Sequence, residues 1–131
     1  MIDINLFLKG YIDAALWSTT DCRDEAGNDV YSLDDHFSKV SNVCYIAMMA
    51  RCSDFVISNY HKLEAFKAAT CRDDSDIGHD FWLTSAGHGA GFWDRGAGQL
   101  GDELSDASEP YGNFDIYGDF DLGVVRSHHY G

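Results

Sequence analysis

The chain is poor in proline, in basic side chains and in long apolar runs, and each scarcity excludes something. A single proline in 131 residues, with no serine-only or glycine-only tract, leaves no obvious linker. One globular domain over residues 1–131 is the expectation, since 45% hydrophobic and 14% aromatic residues are enough for a core. The longest apolar run, Val43 to Ala50, falls far short of the roughly 20 residues that span a bilayer. The N-terminal MIDINLFLKGYID carries acids where a secretory leader has a basic region. A soluble, intracellular protein is expected. The four cysteines form no C-x-x-C pair, and reduced, mostly buried thiols are expected of them.

Basic residues are the most telling shortage. Lys and Arg number 9 against 22 acids, for a formal charge of −13 and an isoelectric point near 4.5. Only four of the acids are Glu (Glu25, Glu64, Glu103 and Glu109); the other 18 are Asp, a residue of caps and turns. Direct binding to nucleic acid is disfavoured, because that affinity comes from cations that neutralise phosphates. A basic protein surface is the partner such a charge suits. Plain solubility is the alternative use of the same charge.

Apolar spacing predicts helices in the first half. Asn5 can cap a helix carrying Leu8, Tyr11, Ile12, Ala15 and Leu16, which ends at Thr19-Thr20-Asp21. Residues 21–31 are polar, with Gly27-Asn28 as a turn signal. Ser32 and Asp35 form a capping-box variant ahead of a helical stretch that runs to Ala69 without Pro or Gly. Two helices meeting near Arg51-Cys52-Ser53 are expected there, because one of 38 residues would be about 57 Å long. CRDDSDIGHD then reads as an acid-rich connector.

In HDFWLTSAGHGAGFWDRG, aromatic residues flank glycines 87, 89 and 91, which suggests a β-hairpin. A turn centred between Gly87 and His88 sets Trp82 opposite Trp93 and Asp80 opposite Arg95; a turn centred on His88 sets Leu83 opposite Trp93. Both registers remain open. A short helix with Leu100, Leu104 and Ala107 inward follows and is ended by Pro110. The tail, with Gly118-Asp119 and Gly123, suggests a second hairpin whose return strand is VVRSHHY. The expected fold class is α+β: N-terminal helices packed on a small antiparallel sheet made of two β-hairpins with a helix between them.

Chemistry-bearing motifs are thin. His79, Asp80, His88 and Asp94 are metal-ligand types but lack the spaced pairs zinc favours, and His128-His129 would point to opposite faces of a strand. Ser85, His88 and Asp94 could be named as a nucleophilic set, yet no G-x-S-x-G elbow is present. RGAGQLG lacks the P-loop lysine. No cofactor and no catalytic residue is assigned. Trp82 and Trp93 could stack on a base or sugar, although packing is the plainer role.

Three stretches, YIDAALWST (Tyr11 to Thr19), GHDFWLTSAGHGAGFWDRGAGQLGDEL (Gly78 to Leu104) and YGNFDIYGD (Tyr111 to Asp119), together resemble a group of small bacteriophage proteins without an assigned function. Members of that group read GHDFWLTRNGHGAGFWDRG, so Ser85-Ala86 departs from the pattern, as does the tail. The resemblance implies a phage accessory protein working in the bacterial host cytoplasm. It carries over no catalytic residue.

With the charge, it gives the leading expectation: an acidic inhibitor or modulator of a host nucleic-acid-handling or defence complex, of anti-CRISPR or anti-restriction type, a nucleic-acid mimic. The candidate partner-binding residues are the acids Asp73, Asp74, Asp76, Asp102, Glu103, Asp106, Glu109, Asp115, Asp119 and Asp121, with Trp82, His88 and Trp93 as anchors. The alternatives are a small metal-dependent or hydrolytic enzyme using residues 79–95, and a structural protein that oligomerises through the aromatics of that segment. The oligomeric state is left open.

Overall fold

A computed structural model describes residues 1–19, 32–35, 37–87, 90–119 and 121–127. The turn signal Gly27-Asn28, His88 and His128-His129 lie outside the described residues. The architecture is mostly helical, with one small two-stranded antiparallel sheet, and so belongs to the α+β class.

Helix α1 (Ile4–Ser18) begins two residues earlier than Asn5 suggests, because the Asp3 carboxylate accepts from the amides of Asn5 and Leu6 at 2.9 and 3.3 Å. It ends at Thr19, whose amide and hydroxyl both donate to the carbonyl of Ala15. Phe7, Leu8, Tyr11, Ala14 and Ala15 fill its inward face.

The Ser32–Asp35 box does form in part: the Ser32 amide donates to Asp35 at 3.0 Å. It opens only a 3-10 turn, Leu33–Asp35. The chain is then diverted into the sheet, since the Val125 amide donates to Lys39 and the Ser41 amide to Val125. Helix α2 (Asn42–Ser58) therefore starts at Ser41, whose hydroxyl accepts from the Cys44 amide at 3.2 Å.

Helix α3 (Tyr60–Thr70) follows, and the break falls at Asn59 rather than at residues 51–53. The Asn59 side-chain amide donates to the Phe55 carbonyl at 3.0 Å, next to the backbone bond to the same acceptor. Asn competes with helical backbone in this way better than Ser53 does.

The first expected hairpin is not formed. Helix α4 spans Asp74–Ser85 and takes in HDFWLTS, so the acid-rich connector is a helix start. Asp73 and Asp76 make a reciprocal capping box, with each carboxylate accepting the other residue's amide. Ile77 and Phe81, one turn apart, then face the core, and Gly87, at φ 77°, follows the helix end. Phe92–Asp94 forms a 3-10 turn. Neither expected register is realised, so Trp93 has neither Trp82 nor Leu83 as a cross-strand neighbour.

Helix α5 (Gln99–Ser108) runs into a 3-10 turn, Glu109–Tyr111, at Pro110. The second expected hairpin is present: β1 (Ile116–Asp119) pairs with β2 (Val124–Ser127), Ile116 opposite Ser127 and Asp119 opposite Val124.

The most extensive packing is α1 on α4. Gly10 and Gly78 let the two backbones meet: a Cβ on Gly10 would lie 1.8 Å from the Ser75 carbonyl oxygen, and one on Gly78 1.9 Å from that of Phe7. Around this crossing the Phe55 and Phe81 rings stack at 4.0 Å, with Phe7, Tyr11, Trp82, Phe92 and Tyr111 about them. Most of the aromatics expected in the hairpin are core.

Candidate functional site

Asp80 organises the second half of the molecule. It lies in the middle of α4, is fully buried, and is held by two guanidiniums. Arg72 grips both oxygens, Nε to Oδ2 at 2.7 Å and Nη2 to Oδ1 at 3.0 Å; Arg95 places Nε at 3.0 Å and Nη2 at 2.8 Å from Oδ1. Burial pushes the carboxyl above its ordinary range, against the downward pull of both arginines.

Arg95 ties that centre to the corner before α5. Within the corner, the Phe92 amide donates to Thr84 Oγ1 at 3.1 Å, and the Gly91 amide to Asp94 Oδ1 at 3.0 Å. Phe92 is buried edge-on against Phe66. Trp93, bracketed by these fixed residues, is turned outward and half exposed.

Helix α5 packs directly on the corner. A Cβ on Gly101 would stand 2.5 Å from the Phe92 carbonyl oxygen and 3.5 Å from the Trp93 Cα. With Leu104 and Ser108 buried on its inner face, its outer side carries Asp102, Asp106 and Glu109 at spacings of four and three, with Glu103 on its flank. None of these four acids has a cationic partner among the described residues. Elsewhere acids do pair with cations: Asp13 with Lys9, Asp74 with Lys67, Asp119 with Arg126.

The structure divides the other expected site residues by role. Asp73 and Asp76 are exposed but serve as the α4 cap. Asp74 is buried, 2.7 Å from Lys67 Nζ, and accepts the Asp3 amide at 2.9 Å, so it fastens the N-terminal segment instead of facing a partner. Trp82 is also interior, its indole donating to Ser18 Oγ at 2.7 Å. Neither Asp74 nor Trp82 is available to a partner. Asp115 and Asp121 are exposed; Asp119 closes the hairpin turn by accepting the Leu122 amide, and that bond with Arg126 lowers its pKa.

Of the nucleophilic set, His88 lies outside the described residues. Ser85 is buried and donates to the Trp82 carbonyl at 3.2 Å, and Asp94 is engaged by the Gly91 amide. His79 is half-buried against exposed Trp17, ring centres 5.7 Å apart, and burial lowers its pKa. Among the described residues no group of three His, Cys, Asp or Glu could hold a metal ion. No helix among them is long and apolar enough to cross a membrane.

Sequence reasoning missed Arg72, Thr84 and Trp17. A signal existed for the first: Asp80 shares a helical face with Ile77 and Phe81, and a carboxylate buried there needs a cation. Comparison with known protein families, with curated proteins and with solved structures finds no match.

Proposed function

We propose that the protein is a non-enzymatic binding protein that turns an acidic face toward a basic partner. The observation that carries this reading is the α5 stripe, Asp102, Asp106 and Glu109, unpaired and standing beside the outward Trp93. An exposed indole on a rigid corner is an anchor of the kind that dominates interfaces, and the flanking acids add long-range attraction. The net charge of −13 makes a cationic surface the complementary target.

The phage resemblance of Gly78 to Leu104 supports a more specific form of the proposal. The partner is then a host nucleic-acid-handling or defence complex in the bacterial cytoplasm, and the protein inhibits or modulates it by occupying a groove built for phosphates. Of the residues first expected at the contact, Trp93, Asp102, Glu103, Asp106 and Glu109 form its centre.

The test is an affinity pull-down from bacterial lysate at low and at moderate salt, identified by mass spectrometry. A basic nucleic-acid-binding complex retained at low salt and weakened as salt rises is expected. Retention of nothing at either ionic strength would refute the reading.

A further inference from the structure

In a chain at −13, two of the nine basic residues open onto one hollow, a cavity of about 450 Å³ between α1 and the start of α2. Its α1 wall is a single stripe at spacings of three and four, with Leu8 and Ile12 below and Asn5, Lys9 and Asp13 exposed along the edge. The facing wall is Ser38, Lys39, Val40 and the Tyr45 ring. That wall is fixed by backbone bonds: the Lys39 carbonyl accepts from the Val125 amide at 3.1 Å, and the Ser41 amide donates to the Val125 carbonyl at 2.7 Å. The Tyr45 amide in turn donates to the Ser41 carbonyl at 2.8 Å. A hollow walled by paired backbone is preformed, and this one falls within the roughly 300–1,000 Å³ of small-molecule sites.

We propose that this hollow binds a nucleoside monophosphate, with the base on the face of Tyr45 and the phosphate between Lys9 and Lys39. Lys39 has no carboxylate partner among the described residues. Lys9 has one, Asp13 at 2.8 Å, but both side chains are more than half exposed, and a pair of that kind is held weakly enough to be exchanged for a ligand. Two ammoniums against one carboxylate leave the hollow locally positive on a molecule that is otherwise strongly acidic.

The lining selects among anions. Among the described residues no arginine faces the hollow, and a planar carboxylate is gripped best by a guanidinium fork. Point-like ammoniums on separate elements suit a phosphate, whose oxygens diverge, and the Ser38 hydroxyl and Asn5 amide add neutral donors. Phosphate alone would leave Leu8, Ile12, Val40 and the Tyr45 ring uncovered, whereas a flat base covers apolar surface and stacks on an aromatic face that is 40% exposed. A single phosphate is also the limit. A longer strand would carry further phosphates over a molecule at −13, with no further lysines in the hollow to meet them. This site is distinct from the α5 face and survives failure of the binding role proposed above.

The test is isothermal titration calorimetry of the full chain at low salt with AMP and with UMP, and with adenosine and inorganic phosphate as the separated halves of the ligand. Far-UV circular dichroism checks the folding of each variant. At least one nucleotide is expected to bind at one site per chain with a dissociation constant below about 1 mM, and each half of AMP at least about tenfold more weakly than the whole. Lys39→Met, at an exposed position, is expected to weaken nucleotide binding at least about tenfold with unchanged helix content. Asp13→Asn should tighten it about threefold, since it removes a like charge and releases Lys9. Tyr45→Ala should weaken the nucleotide while leaving inorganic phosphate unaffected. Failure of both nucleotides to bind at millimolar concentration, an affinity indifferent to Lys39→Met, or phosphate binding as tightly as the nucleotide would overturn the proposal.

Discussion

Asp80 Oδ1 lies 2.8 Å from Nη2 of Arg95, fifteen residues away, and that contact joins the interior of α4 to the corner that presents Trp93. Because Arg72 holds the same carboxylate, Asp80→Asn would leave two guanidiniums at the edge of the core facing a neutral amide. Removing one member of a buried ionic group costs about 3–5 kcal/mol. The expected result is a fall in melting temperature of about 10 °C or more. Arg95→Met should cost less, because the Arg72 fork survives, while increasing acrylamide quenching of Trp93 fluorescence. Equal stability of Asp80→Asn and the parent would show the triad to be dispensable.

The α1–α4 crossing makes a prediction opposite in sign to helix propensity. In an exposed helix, Gly→Ala stabilises by up to about 1 kcal/mol. At Gly78 the new methyl would lie 1.9 Å from the Phe7 carbonyl oxygen, which is rigid backbone, so the helices must separate. A net loss of about 2 kcal/mol or more is expected for Gly78→Ala in urea denaturation, and likewise for Gly10→Ala. A stabilised variant would mean that the helices do not touch as described.

Where local pattern and tertiary role agreed, the elements were legible: α1, α5 and the 116–127 hairpin follow from apolar spacing and turn residues. Two capping boxes show where legibility stops. Ser32 with Asp35 and Asp73 with Asp76 carry the same signal, yet the first opens a single turn because residues 39–41 pair with Val125. The second starts α4 because Ile77 and Phe81 find Phe7, Tyr11 and Phe55 across the Gly10–Gly78 crossing. Phe-Trp pairs around glycines imitate a hairpin, and no local feature distinguishes that from a helix joined to a 3-10 corner. Of the site, the α5 acids and Trp93 were visible in the chain. The burial of Asp74 and Trp82 was not, because it depends on Asp3 and Ser18, distant in sequence. The Asp80–Arg95 pair, anticipated across a strand register, forms instead between a helix and a turn.

His79 provides a pH dependence. Burial lowers its pKa below the ordinary 6.5 in the folded state, so between the two values the unfolded chain binds the extra proton. Protonation there favours unfolding. The contribution is absent well above pH 6.5 and grows as pH falls through that value toward the depressed one. Thermal melts between pH 8 and pH 5 are expected to show a loss on acidification that His79→Gln reduces. An identical profile for the variant would place His79 in solvent.

Cys71 ends α3 at φ 57°, a left-handed conformation that favours glycine. Cys71→Gly is expected to be neutral or to stabilise by up to about 1 kcal/mol, although glycine ordinarily weakens a chain through the unfolded state. The same residue is exposed, whereas burial pushes the Cys44 thiol up to about 11 and Cys52 higher still. Titration with a disulfide reagent should therefore modify Cys71 at once and these two only on unfolding. Rapid modification of Cys52 in the native protein would contradict its burial.

Charge and anchor on the proposed binding face should separate kinetically. Asp102, Asp106 and Glu109 are exposed and unpaired, so Asp102→Asn, Asp106→Asn and Glu109→Gln together should shift stability by no more than about 0.5 kcal/mol. Some of that is the lost interaction of Asp102 with the α5 N-terminus. Against the basic partner, the triple variant is expected to associate more slowly and with a flatter salt dependence, its dissociation rate little changed. Trp93→Ala should do the reverse, accelerating dissociation while leaving the salt slope intact, because a half-exposed indole contributes through burial at the contact. Surface plasmon resonance at several ionic strengths distinguishes the two. If the triple variant keeps the parent's salt slope, the acids of α5 do not face the partner, and Trp93 would belong to a contact that does not use the charge.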